Sequence, residues 1–226
     1  MTDRTTGPQS GELRSFAAIG DIHAEEESLG AVLGFIKTLD VDQVLAVGDI
    51  VDGRGDVNRC CALLEAHGVL AVRGNHERWF LEGQMRSLPD AQRLEDVSLS
   101  AREFLAGLPP TRSFQTARGE LLLCHGVGDD DMQTLKPDDF GYGLANNGPL
   151  NELLAAGRYR LMVGGHTHWR MVRAFDHLTV INAGTLFRET WPCFVVVDVP
   201  GGFAQFYDVR ALGREIVAAE RLVLSA

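Results

Sequence analysis

Five short apolar runs in this 226-residue chain each end in a turn built from glycine and metal-ligating side chains. The turns are Gly20-Asp21-Ile22-His23, Gly48-Asp49-Ile50-Val51-Asp52, Gly74-Asn75-His76-Glu77, His125-Gly126 and Gly164-Gly165-His166-Thr167-His168. A short apolar run bounded by glycine reads as a buried strand. Ligands of α/β sheets bind where strands end. Residues two apart in an extended segment point the same way, so Asp21 and His23 are expected to face one point, as are His166 and His168. Glycine beside each ligand-type residue lets backbones crowd together around it. One such turn is weak evidence, because Asp after a strand is often a helix cap and Gly-Asn-His is often a plain turn. Five together require a fold that gathers several strand ends in one place, and five of the seven histidines lie in them.

The intervening pattern supports such a fold. Strands are expected at 16–19, 44–47 and 69–72, with helices at 25–39 and 58–66 between them. In the first helix the apolar residues fall at 29, 32, 33, 36 and 39. Alternation of this kind predicts βαβ units on a parallel sheet. A helical stretch over 97–108 ends at Pro109-Pro110. Beyond it come strand-like runs at 112–116, 121–124, 161–163, 171–175, 178–181, 194–197 and 203–207, with a helix at 151–156. No linker or repeat divides the chain. Residues 1–13 read as a flexible N-terminal tail and 14–226 as a single domain of two packed sheets. Residues 126–148, carrying Asp129-Asp130-Asp131, show little periodicity. A loop that long is either functional or a solvated excursion.

Composition removes several classes. Lys and Arg total 21 against 31 Asp and Glu, a net charge of −10, so no extended nucleic-acid surface is expected. No run approaches the roughly 18 apolar residues of a membrane span, and residues 1–13 hold no signal-peptide apolar stretch. The four cysteines form no CxxC pair, which suits reduced thiols in the cytoplasm. His76-Glu77 does not open an HExxH zinc motif, since the fifth position is Phe80. A cluster of His, Asp and Asn at strand ends points to a transition-metal site, because imidazole suits Mn, Fe, Ni, Co or Zn better than Mg or Ca.

Taken in order, the turns read DxH, GDxxD, GNH[DE], H and GHxH, and this series resembles that of the calcineurin-like metallophosphoesterases. Asn182-Ala183-Gly184-Thr185, followed by Pro192 and a Val-Val-Val strand, is similar to a segment of the small bacterial and archaeal phosphodiesterase branch. The resemblance spans Asp21 to His168. It implies an α/β fold: a two-sheet β-sandwich flanked by helices on both outer faces, four layers in all. It implies two divalent transition-metal ions, manganese favoured. One ion would take Asp21, His23, Asp49 and His168, the other Asp49, Asn75, His125 and His166, with Asp49 bridging. His76 would protonate the leaving oxygen, and Asp52 would orient His76. Two ions, two carboxylates and a bridging hydroxide leave about one positive charge, which suits a small anionic phosphoester.

The implied activity is hydrolysis of phosphodiesters by metal-bound hydroxide, with monoesters as a further class. The alternatives are a phosphomonoesterase or protein phosphatase, a dinucleoside polyphosphate hydrolase, and a non-catalytic scaffold. A scaffold would not need His76 and all seven ligand positions. The pattern departs from the Val-Asp-Arg-Gly of protein phosphatases by inserting Gly53, so Arg54 is either a phosphate contact or an exposed loop arginine. Arg78 is a substrate contact or an outward helix residue. Trp169 either stacks on an aromatic group of the substrate or covers the sheet end. Arg188 is a further candidate near the site. His67 and His177 fall outside every motif.

Overall fold

A computed structural model describes residues 12–224. The first half runs β1 (Ser15–Ile19), α1 (Glu26–Ile36), β2 (Gln43–Ala46), α2 (Val57–Ala66), β3 (Leu70–Ala71), α3 (Asn75–Glu82) and α4 (Leu99–Ala106). The second runs β4 (Arg112–Thr116), β5 (Gly119–Leu123), α5 (Gly141–Ala145), α6 (Gly148–Ala156), β6 (Tyr159–Gly164), β7 (Met171–Phe175), β8 (Leu178–Asn182), β9 (Cys193–Asp198), β10 (Phe203–Arg210) and β11 (Glu215–Val223). One sheet has the order β11-β10-β9-β1-β2-β3 and the other β4-β5-β6-β8-β7. In the first, β1, β2 and β3 are parallel; in the second, β5, β6 and β8 are parallel. Their C-terminal ends are where the five motif turns begin.

Period-two alternation builds the layers. In β1, Phe16 and Ala18 enter the core between the sheets, together with Val47, Leu121, Leu161, Val163, Ile181 and Val195. Ala17 and Ile19 point the other way, into a cluster with Leu29, Leu33, Cys60, Leu64 and Leu105 of the helices. On the second sheet, Leu122, Met162 and Val180 face Leu150, with Leu153 and Leu154 packed alongside. The result is helix, sheet, sheet, helix, the layering expected. Its consequence for function is that six parallel strand ends open on one edge of the sandwich.

Several expectations shift. Leu13 is only 8% exposed and its N–H donates to Gln115 O at 2.8 Å, so the packed chain includes a residue assigned to the tail. Residues 1–11, the rest of that tail, lie outside the described residues. α1 stops at Ile36 and not at 39, because Thr38 and Leu39 close tight turns onto Phe35 O and Ile36 O. α6 starts at Gly148, earlier than 151, since Asn147 caps it by accepting the Leu150 N–H and Pro149 sits in its first turn. The aperiodic 126–148 stretch contains α5. The edge strand β11 was not anticipated: Glu215, Glu220 and Arg221 interrupt its apolar residues, as charges on an edge strand do. All four cysteines are free and buried. Among the described residues no helix is long and apolar enough to cross a membrane.

Candidate metal centre

The motif turns are stitched to one another through the backbone. Ile22 and His23 N–H donate to Asp49 O at 2.8 and 2.7 Å, and Gly165 N–H donates to His125 O at 2.8 Å. Leu186 N–H and Thr185 Oγ1 both donate to Asp21 O, at 2.8 and 2.7 Å. The convergence of ligands does not come from extended segments, as the spacing suggested. His23, Asp49, His166 and His168 have φ of 46°, 46°, 67° and 61°. These left-handed residues fold each turn back on itself, a strain that persists only where the surroundings over-determine it. Gly74 and Gly165 are required by close approach. A Cβ on Gly74 would collide with Asp49 Oδ1 and crowd His125 Nδ1, and one on Gly165 would meet Asp21 Oδ1.

The side chains form two adjoining groups. His168 Nε2 lies 3.3 Å from Asp21 Oδ2 and 3.1 Å from His23 Nε2. His125 Nε2 lies 2.9 Å from Asn75 Oδ1 and 3.2 Å from Asp49 Oδ2, and the His166 ring centroid is 5.1 Å from that of His125. Ligand atoms of Asp49, His125 and His166 fall within 4.8 Å of one another, as do those of Asp49, His23 and His76, so Asp49 belongs to both groups. Second partners set the ring orientations. His23 Nδ1 donates to Asp52 O and His125 Nδ1 to Val47 O, each at 2.9 Å, which turns both Nε2 atoms inward.

The electrostatics fit a cation. Asp21 is fully buried and its Oδ2 has no hydrogen-bond partner. Burial first, then the charge of Asp49, pushes its carboxyl up to about 7, against the pull of His125. Burial is also the largest influence on Asp49, but His125, His76 and His23 outweigh it and hold that carboxyl far below its usual range. Burial, with the neighbouring His23, takes His168 down to about 4, and burial lowers His23 and His166 as well. These three imidazoles are neutral, the state that ligates metal. Burial opposes charge on His125, yet Asp49 and Asp21 raise it to about 10. An ion entering here would displace that proton. An unpartnered carboxylate oxygen beside inward imidazole lone pairs is the donor set of a divalent transition ion.

His76 is close enough to be a ligand, with Nε2 4.0 Å from Asp49 Oδ2, but its surroundings differ. Asp52 Oδ2 accepts from His76 Nδ1 at 2.8 Å. Burial pulls the imidazolium down, but this hydrogen bond and the charges of Asp49 and Asp52 prevail, and its pKa is raised. His76 is thus shifted toward its protonated form, the opposite direction to His23, His166 and His168. Arg86, which sequence reasoning missed, grips Asp52 with two guanidinium bonds of 2.8 Å, and Gln92 N–H donates to the same carboxylate at 2.9 Å. Glu77 was also missed as a structural part. Its buried carboxylate accepts the N–H groups of Asp49, Ile50, Val51 and Gly74 at 2.6–3.0 Å, fixing the turn that carries Asp49. The Gly-x-x-Glu spacing at a helix start was the available signal.

The proposed substrate contacts sit at the rim. Arg54 is 56% exposed and pairs with Asp90 at 3.1 Å and Glu189 at 2.6 Å. Arg78 makes two bonds to Asp131, at 2.7 and 2.8 Å, beside a cavity of about 650 Å³ that reaches His125. Arg188 is held by Glu25 at 2.7 Å. Trp169 is 53% exposed and does not act as a cover.

Residues 15–202 match the family model described as the calcineurin-like phosphoesterase superfamily domain. The chain belongs to that superfamily, a family of metal-dependent phosphoester hydrolases. Its fold is similar to that of the Pyrococcus horikoshii protein PH1004, with a TM-score of 0.69 at 17% identity over 86% of this chain and 87% of that one. It is also similar to a metallophosphoesterase from Sphaerobacter thermophilus, with a TM-score of 0.64 at 21% identity over 87% and 88%. An uncharacterized protein of Methanocaldococcus jannaschii, MJ0912, is 39% identical over 61 residues, a match spanning 27% of this chain and 25% of that protein.

Proposed function

We propose that this protein is a two-metal phosphoesterase that acts on phosphodiesters in preference to monoesters. Asp21, His23, Asp49 and His168 would hold one ion, and Asp49, Asn75, His125 and His166 the other. Such ions stabilise charge on phosphoryl oxygens and supply a nucleophilic water near neutral pH. Manganese is the ion we favour, since three of the seven donors, Asp21, Asp49 and Asn75, offer oxygen.

The observation that carries the reading is the placement of His76, with Nε2 4.0 Å from the shared Asp49 Oδ2 while Asp52 Oδ2 holds Nδ1 at 2.8 Å. With Nδ1 donating to Asp52, Nε2–H faces the cleft and can pass its proton to the departing ester oxygen. Arg86 and Gln92 keep Asp52 in place for this task. The preference for diesters rests on charge. A monoester dianion needs more neutralisation than a diester monoanion, and the nearby guanidinium groups of Arg54 and Arg78 are already engaged by carboxylates. The net charge of −10 further supports a small substrate over a long polyanion. We propose a cytoplasmic location, which the four free, buried thiols support.

The test is a matrix of divalent metals against mono- and diesters that share one leaving group. A higher kcat/KM for the diester is expected; monoester preference would overturn it. His76→Ala is expected to lose roughly 10²–10⁴-fold on diesters with poor leaving groups, and much less on nitrophenyl esters, while still binding metal. Equal losses on both would remove the general-acid role.

A further inference from the structure

The chain has three tryptophans, of which Trp79 touches His76 and Trp169 adjoins Trp191. Trp79 packs on His76 with ring centroids 5.0 Å apart. Trp169 directly follows His168. Trp191 lies 5.8 Å from Trp169 at an interplanar angle of 47°, and the two are 53% and 75% exposed. Phe187 packs beside the candidate ligands, 5.3 Å from the His23 ring and 6.0 Å from that of His168. Exposed tryptophan leaves a large apolar area in water, so two adjoining rings call for an occupant.

The surroundings say what kind. A cavity of about 450 Å³ adjoins Trp191, flanked by Arg170 and Arg188. Both guanidinium groups are taken: Arg170 pairs with Asp208 and Glu220, and Arg188 with Glu25. The subsite thus offers π-faces without spare positive charge, which suits a neutral ring and not a second phosphate. Two rings sandwiching a third need about 7 Å between them, at about 3.5 Å per contact. At 5.8 Å the pair is too close, so a ring would lie on an outward face. Because Trp169 directly follows His168 in the chain, one ring of the aromatic pair is carried by the same turn as a candidate metal ligand.

We propose that Trp169 and Trp191 form a subsite for the nucleobase of a nucleoside-bearing phosphodiester. This rests on the phosphoesterase reading for the reaction, but binding can be tested without turnover. Binding to the metal-loaded protein is measured by titration calorimetry with adenosine monophosphate, ribose 5-phosphate and phenyl phosphate. Adenosine monophosphate is expected to bind roughly five- to hundred-fold more tightly than ribose 5-phosphate, in keeping with base stacking energies. The double variant Trp169→Ala/Trp191→Ala should lose that preference, and Trp→Phe at both positions should keep most of it. Equal affinity for nucleotide and sugar phosphate, or a preference that survives the double Ala variant, overturns the proposal. Phenyl phosphate binding as well as the nucleotide overturns the nucleobase assignment in favour of simple aryl esters. A protein that hydrolyses no phosphoester would refute the proposed reaction and leave this binding result standing.

Discussion

The floor of the cleft and its rim are built on opposite terms. On the floor, Asp21, Asp49 and His125 are at most 2% exposed, and each is tied by hydrogen bonds to neighbouring strand ends. At the rim, Arg54 and Trp191 are 56% and 75% exposed and come from loops, not strand ends. Floor residues have one geometry available to them, while rim residues can be exchanged without disturbing the sandwich. Rigid chemistry below and replaceable contacts above let one scaffold serve many esters.

If that contrast holds, floor substitutions should have effects of a different order from rim ones. Asp49→Asn is expected to cost most, because its carboxylate is common to both ligand groups. Both metal affinities should fall, by a hundredfold or more as an order of magnitude, and turnover should drop to background. Calorimetric titration with manganese checks this, and one unaltered ion would dissolve the sharing. Next is Glu77→Gln. An amide nitrogen cannot accept the N–H groups that one carboxylate oxygen now takes, so two buried donors lose their partner. The expected loss is roughly 2–6 kcal/mol of stability, read by denaturant unfolding. An unchanged midpoint would show that the Asp49 turn stands without this anchor.

Metal uptake should also release protons. Without ions, Asp21 holds its proton up to about 7 and His125 up to about 10. Asp21 is raised from 3.8, so its contribution to stability is complete below that value and is lost as pH rises through about 7. Burial lowers His23, His166 and His168, so these three add stability as pH rises toward 6.5 and oppose the Asp21 loss in the metal-free fold. Apparent metal affinity should increase with pH. Titration at pH 7 in two buffers of different ionisation enthalpy should report more than one proton released per pair of ions. None released would mean that the floor is already deprotonated.

The same division explains what could be read beforehand. Floor residues are legible because ligand types must stand within a few positions of an apolar strand, and the chain repeats that arrangement five times. The layers are legible because β1 and β5 sort their side chains by alternation. The route to convergence was misread: His23 and His168 reach the site through left-handed turns, and φ leaves no mark on an Asp-x-His or His-x-His spacing. Arg86 was invisible for a different reason. It reaches Asp52 across 34 residues from an irregular stretch where Met85 and Asp90 also have positive φ, and no periodicity predicts such a contact. Trp191 belongs here too, since sequence cannot distinguish an exposed indole from a buried one.

The smallest effect should come from Arg54→Ala, and it probes the rim most sharply. Both of its ion pairs are exposed, with Asp90 at 36% and Glu189 at 47% side-chain exposure. Exposed pairs of this kind contribute about 0–1 kcal/mol, so the unfolding midpoint should barely move. Because its guanidinium is engaged away from the ligand groups, KM for diesters should change by no more than about twofold. Monoesters provide the discriminating measurement. If Arg54 leaves Asp90 and Glu189 to meet a dianion, Arg54→Ala will raise KM for monoesters selectively, and the inserted Gly53 will not have removed this arginine from the chemistry. Equal, small changes on both ester classes would instead leave phosphate recognition to the floor, with the rim choosing only what hangs from the phosphate.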